Sequence, residues 1–212
     1  MSPASTPTPL AFDPNALRDR YRRERDKRLR PDGNDQYVEI AGSYAHYLDD
    51  PYVTRTERPP RHDAVAVAVI GGGFAGLITG ARLRQAGIDD FVIIEKGGGF
   101  GGTWYWNRYP GAQCDVESYV YLPLLEETGY VPTEKYVHAP EILEHCARIA
   151  EHFGLSERAC FSTEVTALEW DPSRSAWLVR TNRGDEFVAR FVAMGSGPLH
   201  RPKLPGIPGI ET

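Results

Sequence analysis

One short stretch constrains this chain more than any other. Val65-Ala66-Val67-Ala68-Val69-Ile70 is a continuous apolar run rich in β-branched residues, and glycines follow it at once. Such a run fits a strand buried on both faces, as in a parallel sheet. The next six residues are Gly71-Gly72-Gly73-Phe74-Ala75-Gly76. A helix is expected from there to about Ala86, with Gly87 as its C′ residue. Phe91-Val92-Ile93-Ile94-Glu95 reads as a second strand, which completes a βαβ unit of roughly thirty residues.

Glycine-rich hexamers arise by chance, so the context decides. Gly71, Gly73 and Gly76 stand between a buried strand and a helix, and Glu95 lies 19 residues beyond Gly76 at the end of the second strand. That is the spacing of the ribose-binding acid in a dinucleotide fold. Gly71 allows the tight turn, Gly73 lets the backbone approach a pyrophosphate, and Gly76 lets the helix pack close to the strand. The helix N-terminus offers unpaired N–H groups to phosphate. Glu95 would bond ribose hydroxyls and repel a 2′-phosphate, so NADP fits this first site least well. The motif leaves FAD and a nicotinamide cofactor both open.

The rest of the chain is read around this unit. Residues 1–13 are expected to form a disordered tail and 14–62 a helix with an extended connector, leaving 63–212 for the α/β domain. The helix should start with Asp13 as N-cap and Pro14 in first position, and stop near Arg30 before Pro31-Asp32-Gly33. From Ala16 to Arg30 it carries eight basic and three acidic residues. Either it packs through Leu17, Tyr21 and Leu29, or it is a docking arm. Residues 97–123 are dense in glycine and aromatics and show no helical period. A second helix is expected from Pro140 to Phe153. Strands Glu164–Trp170, Ala176–Thr181 and Glu186–Met194 follow, with turn sequences Asp171-Pro172-Ser173 and Asn182-Arg183-Gly184 between them. They read as a small antiparallel meander whose last strand returns to the parallel sheet. A Pro-rich stretch then runs to Thr212 with no closing element, so a fragment is expected.

Composition removes several functional classes. Twenty-four basic against 29 acidic residues give a net charge of -5, which disfavours a nucleic-acid or anionic-membrane binder. The longest apolar run, Ala64 to Ile70, is far short of the ~20 residues a membrane helix needs. No secretory leader is expected at the N-terminus. Cys114, Cys146 and Cys160 form no CxxC pair and no metal pattern, which fits a reduced, cytoplasmic setting.

Residues 101–118, Gly-Gly-Thr-Trp-Tyr-Trp-Asn-Arg-Tyr-Pro-Gly-Ala-Gln-Cys-Asp-Val-Glu-Ser, are the most informative loop. So many large aromatics either make a core patch or form one wall of a cavity for a flat ring system. Gly-Gly-Thr-Trp, Asn107, Tyr109-Pro110-Gly111, Cys114-Asp115 and Ser118 resemble, in order and spacing, the flavin-loop signature of Baeyer–Villiger monooxygenases. The glycine loop and Glu95 resemble that family's first nucleotide motif. Gly195-Ser196-Gly197-Pro198-Leu199-His200 resembles its return segment, with Gly195, Ser196 and His200 standing where Ala, Thr and Ser are usual. The resemblance covers roughly residues 64–210.

The resemblance implies a Rossmann-like FAD-binding domain, incomplete at its C-terminus, from an NADPH- and O2-dependent enzyme. Such enzymes convert ketones to esters or lactones through a C4a-peroxyflavin. Gly71, Gly73, Phe74, Ala75 and Gly76 would hold the FAD pyrophosphate, with Glu95 and Lys96 at the adenosine end. Gly102, Thr103, Trp104, Tyr105 and Trp106 would line the flavin, Tyr121 would add a contact, and the backbone of Val165 would face the adenine. Gln113 and Cys114 would lie near NADP. Asp115 would act near the reactive edge, helping to position an arginine and the nicotinamide. The main NADPH site, the catalytic arginine and most of the ketone pocket would lie beyond Thr212. On its own chemistry, Asp115 beside aromatics needs a cation, and Arg108 is the local candidate. Cys114 reads as a small buried packing residue and His200 as a surface histidine. A non-catalytic dinucleotide-binding module or truncated gene product, and a fragment of a flavin-dependent N- or S-oxygenase, are the other readings.

Overall fold

A computed structural model describes residues 12–199 and 201–210. Two compact units emerge, one from the residues up to Ala41 together with those from Lys203, the other from Gly42–Pro202.

In the first unit, helix α1 (Pro14–Asp26) begins as expected, with the Asp13 carboxylate accepting from the Asn15 N–H at 2.8 Å. It ends a turn earlier than expected. Its packing differs from the sequence reading too, since no residue of α1 is buried, and Leu17, Tyr21 and Leu29 are 37%, 70% and 63% exposed. With eight basic residues among the fifteen from Ala16 to Arg30, the segment is laced by short-range pairs such as Lys27–Glu24. The connector and the Pro-rich end each hold a strand that no pattern signalled: β1 (Tyr37–Glu39) pairs antiparallel with β8 (Lys203–Pro205).

The second unit is an α/β layer structure around one mixed sheet. Its strands are β2 (His62–Ile70), β3 (Phe91–Ile94), β4 (Ala159–Cys160), β5 (Val165–Asp171), β6 (Ala176–Thr181) and β7 (Glu186–Met194). They lie in the order β4-β3-β2-β7-β6-β5. β2 is central and pairs in parallel with both β3 and β7. β5, β6 and β7 form the expected antiparallel meander, and β7 returns to the parallel sheet. Helix α2 (Phe74–Gln85) crosses from β2 to β3, and α6 (Ala139–His152) packs beside it.

The apolar run of β2 is buried on both faces because alternate side chains serve different clusters. Val69 joins Leu77, Ala81, Phe91, Ile93, Ile149 and Leu155 on the helical side. Ala68 and Ile70 join Val92, Ile94, Val179 and Phe187 on the other. The aromatic loop differs from expectation in holding three single-turn helices at or near it, α3 (Thr103–Trp106), α4 (Ser118–Tyr121) and α5 (Leu125–Thr128). Runs of four residues are too short for periodicity to reveal, and tertiary contacts hold them.

Candidate functional site

The carboxyl ends of β2, β3 and β7 open into a cleft of about 710 Å³. This is where ligands bind in open α/β sheets. The volume lies within the range of cofactor pockets.

The glycine loop forms one wall, and its glycines are required by backbone approach. Gly71 has φ +101°, and a Cβ there would meet the Gly195 carbonyl oxygen at 2.5 Å. A Cβ on Gly76 would stand 1.9 Å from the Gly71 carbonyl oxygen, so α2 rests directly on the turn. Gly73 is the N-cap of α2 and supplies no side-chain cap. The N–H groups of the first turn are therefore available to an anion.

Glu95 is 5% exposed. Its Oε2 accepts the Gly72 N–H at 2.5 Å and its Oε1 the Gly97 N–H at 2.6 Å. Burial raises its pKa, and the two N–H groups only partly offset this. Each oxygen keeps lone-pair capacity for a further donor. The residue thus braces the glycine loop against the strand that follows it.

The opposite wall comes from the aromatic loop and the return segment. Gly102, Thr103, Trp104 and Trp106 line the cleft, as do Gly71, Gly73, Phe74, Ala75, Glu95, Lys96, Tyr121 and Val165. The Trp104 indole donates to the Tyr121 hydroxyl at 2.9 Å, and the Phe74 and Tyr121 rings lie 5.2 Å apart. Gly102 approaches Gly73 so closely that a Cβ on it would meet the Gly73 Cα at 2.8 Å. The two glycine motifs, separate in sequence, are thus one surface.

Tyr105 does not line the cleft. Its ring turns under the loop against Gly97–Gly99, and its hydroxyl donates to Asp50 at 2.6 Å. The reason is the short helix itself, which sends Thr103, Trp104 and Trp106 one way and Tyr105 the other. Gly76 is a packing residue behind the wall. Gln113, Cys114 and Asp115 also lie outside the cleft lining. Cys114 is buried with Leu122, Val137 and Ile142, as a packing residue should be. Gln113 is exposed and donates to the Tyr136 carbonyl at 2.5 Å. Asp115 is exposed, which removes the desolvation argument for a paired cation. Arg108 is not its partner, since its guanidinium lies 3.8 Å from the Tyr52 ring centroid and its Nε donates to the Tyr105 carbonyl. Burial raises the Tyr121 pKa most, and Asp115 contributes to that rise through space.

Several lining residues had no role from sequence. Thr163, Glu164, Thr166 and Leu168 come from β5 and the two residues before it, and Met194, Gly195, Ser196, Gly197 and Leu199 from the end of β7 and the residues after it. The second group belongs to the return segment, so its placement was available from that motif. His200 lies outside the described residues, as does most of the expected tail, residues 1–11. Among the described residues no group of His, Cys, Asp and Glu could hold a metal ion, and no helix is long and apolar enough to cross a membrane.

Comparisons with known proteins agree with this geometry. The family model of pyridine nucleotide-disulphide oxidoreductases matches residues 68–212. The Baeyer–Villiger monooxygenase of Streptomyces coelicolor is 53% identical over 207 residues, covering 97% of this chain and 34% of that protein. The polycyclic ketone monooxygenase of Thermothelomyces thermophila superimposes with a TM-score of 0.82 at 39% identity, over 93% of this chain and 35% of that one. The OTEMO complex with FAD and NADP gives 0.64 at 33% identity, over 69% of this chain and 28% of that one. The chain thus spans about a third of the length of the curated relative it matches. It belongs to the pyridine nucleotide-disulphide oxidoreductase family, and it is similar to about a third of the length of Baeyer–Villiger monooxygenases.

Proposed function

We propose that the cleft binds FAD, and that this chain is the FAD-binding part of an NADPH- and O2-dependent monooxygenase that converts ketones to esters or lactones. One observation carries the reading: the glycine loop, Glu95, Thr103 and the indoles of Trp104 and Trp106 line a single continuous cleft. The donor set fits the cofactor. Uncapped N–H groups at the start of α2 suit the pyrophosphate, and Glu95 with Lys96 suits the adenosine ribose. The edge of β5 at Val165 suits the adenine, and Thr103, Trp104 and Trp106 suit a flat ring system.

Bound there, the flavin would supply hydride acceptance and oxygen activation. This chain's residues would bind and orient it, and the indoles would keep water from the ring. Asp115 and Gln113, both exposed, are the proposed NADPH-facing residues, with Cys114 fixing their backbone. The substrate reading rests on relatives. The ketone pocket and the catalytic arginine are assigned to sequence outside this chain, so the chain alone should not complete a turnover. The three free, buried cysteines fit a cytoplasmic setting.

The test is retention of FAD. The purified chain is mixed with FAD, desalted, and scanned in the visible range. A retained flavin band supports the assignment. A colourless protein that nevertheless melts cooperatively overturns it.

A further inference from the structure

Helix α3 is a single turn, and one turn cannot hold itself in place. Its position must be set from outside, and two of the ties come from the connector segment around Asp50.

Asp50 Oδ2 accepts the Tyr105 hydroxyl at 2.6 Å and the Gly98 N–H at 2.8 Å. Its Oδ1 accepts the N–H groups of Tyr52 and Val53 at 2.9 and 3.3 Å. All four partners are donors. The Tyr52 hydroxyl then donates to the Trp106 carbonyl at 3.1 Å, and the Tyr52 ring meets the Tyr105 ring edge-on at 5.6 Å. Arg108 covers both rings, at 3.8 and 4.6 Å from their centroids. The glycines here leave room for this clamp. A Cβ on Gly98 would meet the Val53 side chain at 2.5 Å, and one on Gly97 the Tyr105 ring at 2.9 Å. Gly97 in turn donates to Glu95.

We propose that Asp50 is a positioning residue for the ring-binding wall of the cleft. It ties the connector to the underside of α3, so that Trp104 and Trp106 on the opposite side stand where the flavin would lie. The inference rests on the FAD reading above and deepens it. Burial of Asp50 opposes its charge, but the Tyr105 hydroxyl and three backbone N–H groups outweigh that and lower its pKa, so it is an anion at neutral pH.

Asp50→Asn is the direct perturbation. An amide nitrogen in place of either oxygen must confront a donor with a donor. Tyr105→Phe is the milder companion, removing one hydroxyl and keeping the ring. Each is made in the full 212-residue chain. Two quantities are measured: the near-ultraviolet circular dichroism of the indoles without ligand, and the affinities for FAD and for ADP. ADP reaches the glycine loop and Glu95 but not the aromatic wall. The expected result is an altered indole signal and FAD affinity lower by about tenfold, with ADP affinity within about twofold of wild type. The double variant should lose little more than either single one, because both remove the same tie.

An unchanged indole signal with an unchanged ratio of FAD to ADP affinity overturns the proposal. So does a parallel loss of both ligands, which marks a general structural role. If Asp50→Asn does not fold, Tyr105→Phe decides by the same criteria. If the wild-type chain binds ADP but no FAD, the FAD reading fails by itself, and the indole signal alone then upholds or overturns the role of Asp50.

Discussion

Two glycines of α2 offer a sharp test of why the nucleotide loop has its shape. Gly76 and Gly80 are both buried on the same helix. Replacing either by alanine gains up to about 1 kcal/mol of helix propensity. The surroundings then diverge. The new methyl of Gly76→Ala would sit 1.9 Å from the Gly71 carbonyl oxygen and 2.9 Å from its carbon, both backbone atoms. Gly71 cannot retreat, because its own far side lies against Gly195. Relief needs a shift of more than about 1 Å in the turn, so the cost belongs at the upper end of the overpacking range, about 3 kcal/mol. The net loss is about 2 kcal/mol, or a fall in melting temperature of about 4–8 °C for a chain of this size. The methyl of Gly80→Ala meets Ile93 and Leu155 side-chain ends at 3.1 Å, and these can give by a few tenths of an ångström. Its net effect should be near zero, within about 2 °C. Thermal unfolding followed by far-ultraviolet circular dichroism reads both. Equal shifts for the two variants, or a Gly76→Ala melt within about 2 °C of wild type, would refute the reasoning.

Other consequences are as direct. The Asp185 side chain is fully buried and meets Arg58 at 2.6 Å, with the Arg61 N–H and the Thr181 hydroxyl as further donors. Asp185→Asn should cost about 3 kcal/mol in urea unfolding at pH 7, because it strands the guanidinium. Burial opposes the Asp185 charge, yet Arg58 and the other donors hold its carboxyl well below the usual range. Its stabilisation is therefore complete above the unfolded carboxyl pKa near ~4 and is lost as pH falls through the folded value. Urea midpoints compared between wild type and Asp185→Asn should converge below about pH 4, and a constant gap down to the acid limit would contradict this. Burial pushes the Cys146 thiol up to about 12. It should be silent to a thiol reagent at pH 8 in the native chain and react only on unfolding. Fast native labelling at Cys146, mapped by peptide mass, would contradict its burial.

The β2–α2–β3 unit was legible because each signal was local. A β-branched run, a glycine cluster and a C′ glycine all lie within thirty-odd residues, and each has one physical meaning. The meander was legible for the same reason, since Asp171-Pro172-Ser173 and Asn182-Arg183-Gly184 are turns by composition. What the sequence hid was long-range. β4 has two residues and is a strand only because Ile93 and Ile94 pair with it. Arg58 and Asp185 are 127 residues apart, and Asp50 and Tyr105 are 55 apart. No periodicity joins such pairs. Tyr105 was assigned to the cleft with its aromatic neighbours, and only the helical turn at Thr103–Trp106 separates its direction from theirs. Trp104, Thr103, Glu95 and the return segment at the end of β7 were found by motif, whereas most of the lining at β5 needed the sheet order.

The central place of β2 has a consequence for synthesis. One of its edges is covered as soon as β3 is made, at Ile94, but the other waits for β7, which begins at Glu186. At ~5–20 residues per second, the ribosome takes about 5–20 s to cross that interval. Throughout it, the apolar run of β2 presents an unpaired rim that an extended apolar segment could join. The nascent chain is thus most exposed to misassembly between its first nucleotide motif and the last strand of the six-stranded sheet.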